Sequence, residues 1–190
     1  MPTNIEIKAI LTNRAAAEAA AGRLSDTAPE TIYHEDFFFA CDRGRLKLRI
    51  LAPDRGELIR YERSDVADAR ESRYLIARTP DPQILNEILT ATLDRIGVVK
   101  KTRILYLVGQ TRVHIDEVQE LGDFLELEVV LRPGQSELEG KNIVTALLAE
   151  FGIVQKELIA EAYVDLLARW AGNNQRLSVA RSIADHNSSD

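Results

Sequence analysis

Asn4-Ile5-Glu6-Ile7-Lys8-Ala9-Ile10-Leu11 alternates strictly between polar or charged and apolar side chains. Successive side chains of a strand point to opposite faces, so Asn4, Glu6 and Lys8 share one face while Ile5, Ile7, Ala9 and Leu11 share the other. The pattern recurs along the chain with charges sorted by strand. Residues 45–51, Arg-Leu-Lys-Leu-Arg-Ile-Leu, put Arg45, Lys47 and Arg49 in phase. Lys101 and Arg103 share a face, as do Tyr61 and Arg63, and Arg112, His114 and Asp116. Glu126 and Glu128 are in phase opposite Leu125, Leu127 and Val129. Three like charges in a row repel one another unless they are solvated or meet counter-ions.

Eight strands follow from this alternation, at about 4–11, 31–40, 45–51, 57–63, 72–78, 98–108, 111–118 and 123–131. Pro53-Asp54-Arg55-Gly56 and Gly109-Gln110 read as hairpin connections, and 64–71 as a loop. Helices are expected after Thr12-Asn13, from Pro82 to near Ile96 with Gly97 as its stop, and over 137–151. The last of these is introduced by the capping-box pair Ser136 and Glu139. Ile84, Leu85, Ile88, Leu89 and Leu93 form the apolar stripe of the Pro82 helix, and a final helix carries Tyr163 and Trp170. The fold class is α+β. Eight mostly antiparallel strands can close into a barrel, a tunnel flanked by helices. Residues 1–172 read as one domain and 173–190 as a polar C-terminal tail.

The bulk numbers agree with a globular chain. Its 190 residues are 45% hydrophobic and 28% charged. A net charge of -6 argues against a nucleic-acid or anionic-membrane binder, but leaves room for a local basic pocket. The single cysteine, Cys41, forms no internal disulfide, and no Cys/His spacing suggests zinc. With no signal-like start and no long apolar run, the expectation is a cytoplasmic protein.

Charged rows are often the wet side of a sheet. Solvent faces usually mix residue types, however, and here three rows, Arg45/Lys47/Arg49, Lys101/Arg103 and Glu126/Glu128, are each of one sign. Helices on the outer apolar faces would leave the charged rows a shared interior. Arginine forks and lysine ammoniums suit phosphate oxygens, and closely spaced carboxylates can hold Mg²⁺ or Mn²⁺. Such a pocket fits a metal-bound polyphosphate. An apolar-lumen lipid binder is disfavoured by the Arg/Lys rows.

Asn4-Ile5-Glu6-Ile7-Lys8 resembles the Glu-x-Glu-x-Lys signature of the CYTH family, the triphosphate tunnel metalloenzymes. These include class IV adenylate cyclases and thiamine triphosphatases. The resemblance extends to Leu46-Lys47-Leu48-Arg49, Lys101-x-Arg103, His114-Ile115-Asp116-Glu117-Val118, Phe124-Leu125-Glu126-Leu127-Glu128 and Ala162-Tyr163-Val164-Asp165-Leu166-Leu167, over roughly 4–168. It implies a closed eight-stranded tunnel. Glu6, Glu126 and Glu128 would be metal ligands, with Asp116 a further acidic group near the metal. Lys8, Lys47, Arg49, Arg63, Lys101 and Arg103, with Arg112, would contact phosphates. The implied partner is a triphosphate small molecule, such as ATP, thiamine triphosphate or tripolyphosphate; a homodimer is compatible with it. The expected activity is metal-dependent triphosphate hydrolysis, with cyclization of ATP or non-catalytic binding as alternatives. Asn4 stands where the first signature glutamate usually sits and brings no charge. His34, Cys41 and the Phe37–Phe39 run read as structural.

Overall fold

The computed structural model describes residues 3–63 and 67–172. The proposed tail at 173–190 lies outside the described residues. Eight antiparallel strands close on themselves: β1 (Thr3–Ile10), β2 (Glu30–Phe39), β3 (Arg45–Ala52), β4 (Arg55–Arg63), β5 (Arg70–Thr79), β6 (Arg95–Val108), β7 (Thr111–Val118) and β8 (Gly122–Val130). Their order around the barrel is β1-β5-β4-β3-β2-β6-β7-β8, with β8 returning to β1. Closure leaves no bare sheet edge, and eight strands give an interior wide enough for side chains and one small ligand.

The apolar core lies outside this barrel. Ile5, Ile7, Val113, Ile115, Leu125 and Leu127 are all 3% exposed or less. They turn outward from β1, β7 and β8 to meet two helices, α1 (Arg14–Leu24) and α3 (Glu137–Glu150). Asn13 caps α1 by accepting from the Ala16 amide at 3.1 Å. Ser136 and Glu139 form the expected capping box on α3. A Cβ on Gly140 would come within 2.5 Å of Ile5 Cγ1, so glycine permits the close approach of α3 to β1. With the apolar faces used outside, the polar faces of β1, β7 and β8 are committed to the lumen.

Two boundaries depart from the sequence reading. The helix begun by Pro82, α2 (Pro82–Thr92), ends before Leu93, and Gly97 is not its stop. Gly97 lies inside β6 opposite Phe38, because pairing with β2 extends the strand back to Arg95. A Cβ there would sit 2.8 Å from Val164, on the last helix, α4 (163–172). The fifth strand likewise starts at Arg70, inside the stretch read as a loop. The apolar stripe of α2 is only partly used, since Ile84 and Ile88 are more than half exposed; Trp170 is 43% exposed. No helix among the described residues is long and apolar enough to cross a membrane.

Candidate active site

Strand register decides which charges meet. Lys8 lies opposite Glu126 and Glu6 opposite Glu128 across β1 and β8. Arg112 faces Glu128 and His114 faces Glu126 across β7 and β8. Arg103 faces Asp116, and Asp36 faces Arg49. The sequence-predicted residues Glu6, Lys8, Lys47, Arg49, Arg63, Lys101, Arg103, Arg112, Asp116, Glu126 and Glu128 are thereby brought to one interior. Arg45 stands at the edge of this set, paired with Asp165 of α4 at 2.7 Å.

The carboxylates divide into two kinds. Asp116 is fully buried and held by Lys101 Nζ at 2.8 Å, by Arg103 Nε and Nη2 at 2.6 Å each, and by the Tyr163 hydroxyl at 3.0 Å. Burial would raise its pKa, but Arg103 and Lys101 outweigh burial and hold it below the usual carboxylate range. Asp36 is in the same situation, with Lys47 Nζ at 2.7 Å and Arg49 at 2.8 and 3.1 Å. Burial opposes ionisation there too, and Arg49 and Lys47 overcome it. These two aspartates aim bases.

Glu126 and Glu128 form the second kind, with His114. One ligand atom from each lies within 4.8 Å of the others. The His114 Nδ1 is buried without a hydrogen-bond partner, 3.9 Å from both Glu126 Oε2 and Glu128 Oε1. Glu6 and Glu128 are like charges directly opposed on paired strands, an arrangement that is unfavourable unless a cation intervenes. The donor set of two carboxylates and an imidazole, with its orphaned nitrogen, fits a divalent metal ion. Asp116 lies outside that group. Arg103, which holds Asp116, also reaches Glu126 at 2.5 Å, and on the other side of the acids Arg63 reaches Glu6 at 2.6 Å.

Around these acids the lumen is basic. Among the described residues eight bases line it (Lys8, Lys47, Arg49, Arg63, Arg70, Lys101, Arg103 and Arg112), beside six carboxylates, Glu6, Asp36, Glu57, Asp116, Glu126 and Glu128. Burial brings the Lys8 ammonium down to about 7 and that of Lys47 to about 8. Lys8 Nζ lies 3.8 Å over the Tyr163 ring and donates to the Glu161 carbonyl at 3.3 Å. Tyr163, from the start of α4, thus abuts the lumen beside Lys8 and Asp116. Asn4, 3% exposed, accepts from Arg112 Nη2 at 3.0 Å and donates to the Thr3 carbonyl at 3.3 Å.

Sequence reasoning missed Asp36, His34 and Arg70 as lumen residues. His34 and Asp36 are in phase on β2, but the Phe37–Phe39 run drew attention to packing instead. Phe38 and Phe39 are indeed buried. Arg70 follows a turn-like stretch and offers no alternation before Ser72. Cys41 is exposed rather than packed.

The profile of the CYTH domain matches residues 2–163. No curated protein sequence matches the chain. Among solved structures, the PH1012 protein of Pyrococcus horikoshii superposes with a TM-score of 0.76 at 23% identity, covering 86% of this chain and 98% of its own. A candidate adenylate cyclase of Vibrio parahaemolyticus gives 0.69 at 18% identity, with 87% and 97% covered. The Hippeastrum protein HpAC1, described as a candidate adenylyl cyclase with a dominant triphosphatase activity, gives 0.59 at 16% identity, with 90% and 96% covered. At these identities the three structures speak for the fold, and the domain profile, running over most of the length, speaks for the family. A closed, charged tunnel whose sequence matches that profile from end to end of the barrel makes this chain a member of the CYTH family.

Proposed function

We propose that this protein is a divalent-metal-dependent phosphohydrolase acting on a triphosphate bound inside the tunnel. The observation that carries the reading is the convergence of Lys8, Lys47, Arg49, Arg63, Lys101, Arg103 and Arg112 on one enclosed lumen. Buried charge of one sign is costly unless it is paired, and a chain of phosphoryl groups is the small ligand that pairs with many cations at once. Glu126, Glu128 and His114 are the proposed metal-holding residues, with Glu6 facing Glu128. A Mg²⁺ or Mn²⁺ ion there would supply Lewis-acid stabilisation of charge on phosphate oxygens.

The chain's own residues do the rest. Lys101 and Arg103, aimed by Asp116, and Lys47 and Arg49, aimed by Asp36, fix the phosphoryl groups and stabilise the charge that develops on their oxygens. Lys8, Arg63 and Arg112 complete the basic lining beside the acids. Water attacks the terminal phosphorus, the bridging P–O bond breaks with its electron pair going to the departing shortened chain, and the water's proton passes to solvent as orthophosphate forms. The tunnel wall excludes other water. Asp116 is a positioning residue in this scheme rather than a metal ligand.

The test is product analysis. Purified protein is incubated with ATP, thiamine triphosphate or tripolyphosphate and Mg²⁺ or Mn²⁺, and products are resolved by phosphorus NMR. Orthophosphate from at least one substrate is expected. Cyclic AMP with pyrophosphate would instead make the protein a cyclase, and binding without turnover would make it a sensor.

A further inference from the structure

One pattern of residues occurs twice on neighbouring parts of the wall. β3 carries Lys47-x-Arg49 and β6 carries Lys101-x-Arg103, while β2 carries His34-x-Asp36 and β7 carries His114-x-Asp116. In barrel order these strands run β3, β2, β6, β7, so the two kinds alternate. The register is equivalent in both pairs, with Asp36 opposite Arg49 and Asp116 opposite Arg103. The contacts repeat as well. In each unit one carboxylate binds a lysine ammonium at 2.7 or 2.8 Å and takes two bonds from the guanidinium. In each, the histidine two residues before the aspartate is buried, 6% exposed for His34 and 3% for His114, and its Nδ1 has no partner.

The surroundings of the two histidines differ. Nδ1 of His114 looks toward Glu126 and Glu128, each 3.9 Å away. The charges that act most strongly on His34 are Arg49, Arg103 and Lys101, with Asp36 behind them. Both Asp36 oxygens are already engaged by Lys47 and Arg49. The charged groups around this ring are thus mainly cations, with Lys101 directly opposite across β2 and β6, and the one carboxylate among them already holds two bases. Arginine and lysine only donate, phosphate oxygens accept, and a neutral imidazole has one N–H to give. A phosphate oxygen is the group that would satisfy Nδ1 and the flanking cations together.

We propose that His34 completes a phosphate subsite with Lys47 and Arg49, donating an uncharged hydrogen bond to a phosphate oxygen that those two bases also hold. The inference rests on the triphosphate reading of the tunnel and deepens it.

The test is calorimetric titration of tripolyphosphate in EDTA, which removes metal binding and turnover from the readout. His34→Leu keeps bulk without a donor, and His34→Asn restores an amide near the Nδ1 position. His34→Leu is expected to weaken binding about tenfold or more, the scale of a hydrogen bond to a charged group, with most of the loss recovered in His34→Asn. In the wild-type protein, the Nδ1 resonance of His34 should move on adding tripolyphosphate in nitrogen-15 NMR, a readout that survives any folding defect of the variants. Unchanged affinity in a folded His34→Leu protein overturns the subsite, and so does an Nδ1 resonance that stays in place. Lys101→Ala separates the two levels. Weakened binding there with none in His34→Leu sinks the subsite alone, whereas wild-type affinity in both sinks the tunnel reading as well.

Discussion

Glu126 takes part in both halves of the site, since it belongs to the group with His114 and Glu128 and also receives Arg103 at 2.5 Å. Glu126→Gln keeps its shape and removes its charge; metal-dependent release of orthophosphate should vanish while circular dichroism stays native. Wild-type turnover in that variant would exclude the assigned role. Arg49→Ala should weaken tripolyphosphate binding by about 1.5–3 kcal/mol, the range for hydrogen bonds to charged groups, as read by titration calorimetry. Lys47 gives a pH signature. Its ammonium is lowered from 10.5 to about 8, first by burial and then by Arg49, against the pull of Asp36. The unfolded chain therefore binds the extra proton between those values, so the Lys47 penalty on stability is full below about pH 8 and is relieved as pH rises toward 10.5. A polyanion restores the charged form, so binding near pH 9 should take up protons. Comparing binding heats in buffers of different ionisation enthalpy measures this, and the uptake should fall in Lys47→Met. Alternation in the sequence exposes most lumen residues, because their neighbours in the chain are apolar and outward-facing. Asp116 shows what alternation leaves out. Its face is readable, but its engagement with Lys101, Arg103 and Tyr163 depends on strands and a helix far apart in the chain.

The elements that hold the barrel make the lumen possible. Leu127 on β8 is fully buried between barrel and helices, on the strand that carries Glu126 and Glu128 inward. Leu127→Ala should cost roughly 2–5 kcal/mol by denaturant titration, as for other large-to-small core changes. At α3, Ser136→Ala removes the hydroxyl that accepts from the Glu139 amide and should cost about 1 kcal/mol, seen as a lower thermal midpoint. Strand existence and helix capping are local properties, and both were readable. The end of α2 was not. Gly97 has the form of a helix stop, yet pairing with β2 and contact with Val164 place it in β6. The start of β5 at Arg70 was hidden for the same reason, since a strand's reach is set by its partner strand.

At the scale of the molecule, the net charge of -6 and the basic lumen are compatible because the acids are largely elsewhere, on the outer surface. Closure of the barrel turns rows of like charge, unremarkable on an open sheet, into one pocket where many cations converge. That order of strands cannot be read from periodicity, though the resemblance to a known family supplies it. A bound polyanion should stabilise the whole fold, by about 2.7 kcal/mol at a hundredfold excess over its Kd. The most direct measurement is calorimetric titration of tripolyphosphate into the wild-type protein with Mg²⁺ present. One ligand per chain, bound exothermically and lost in Arg103→Ala, is expected. Absence of binding, or binding that Arg103→Ala leaves intact, would contradict a triphosphate held inside the tunnel.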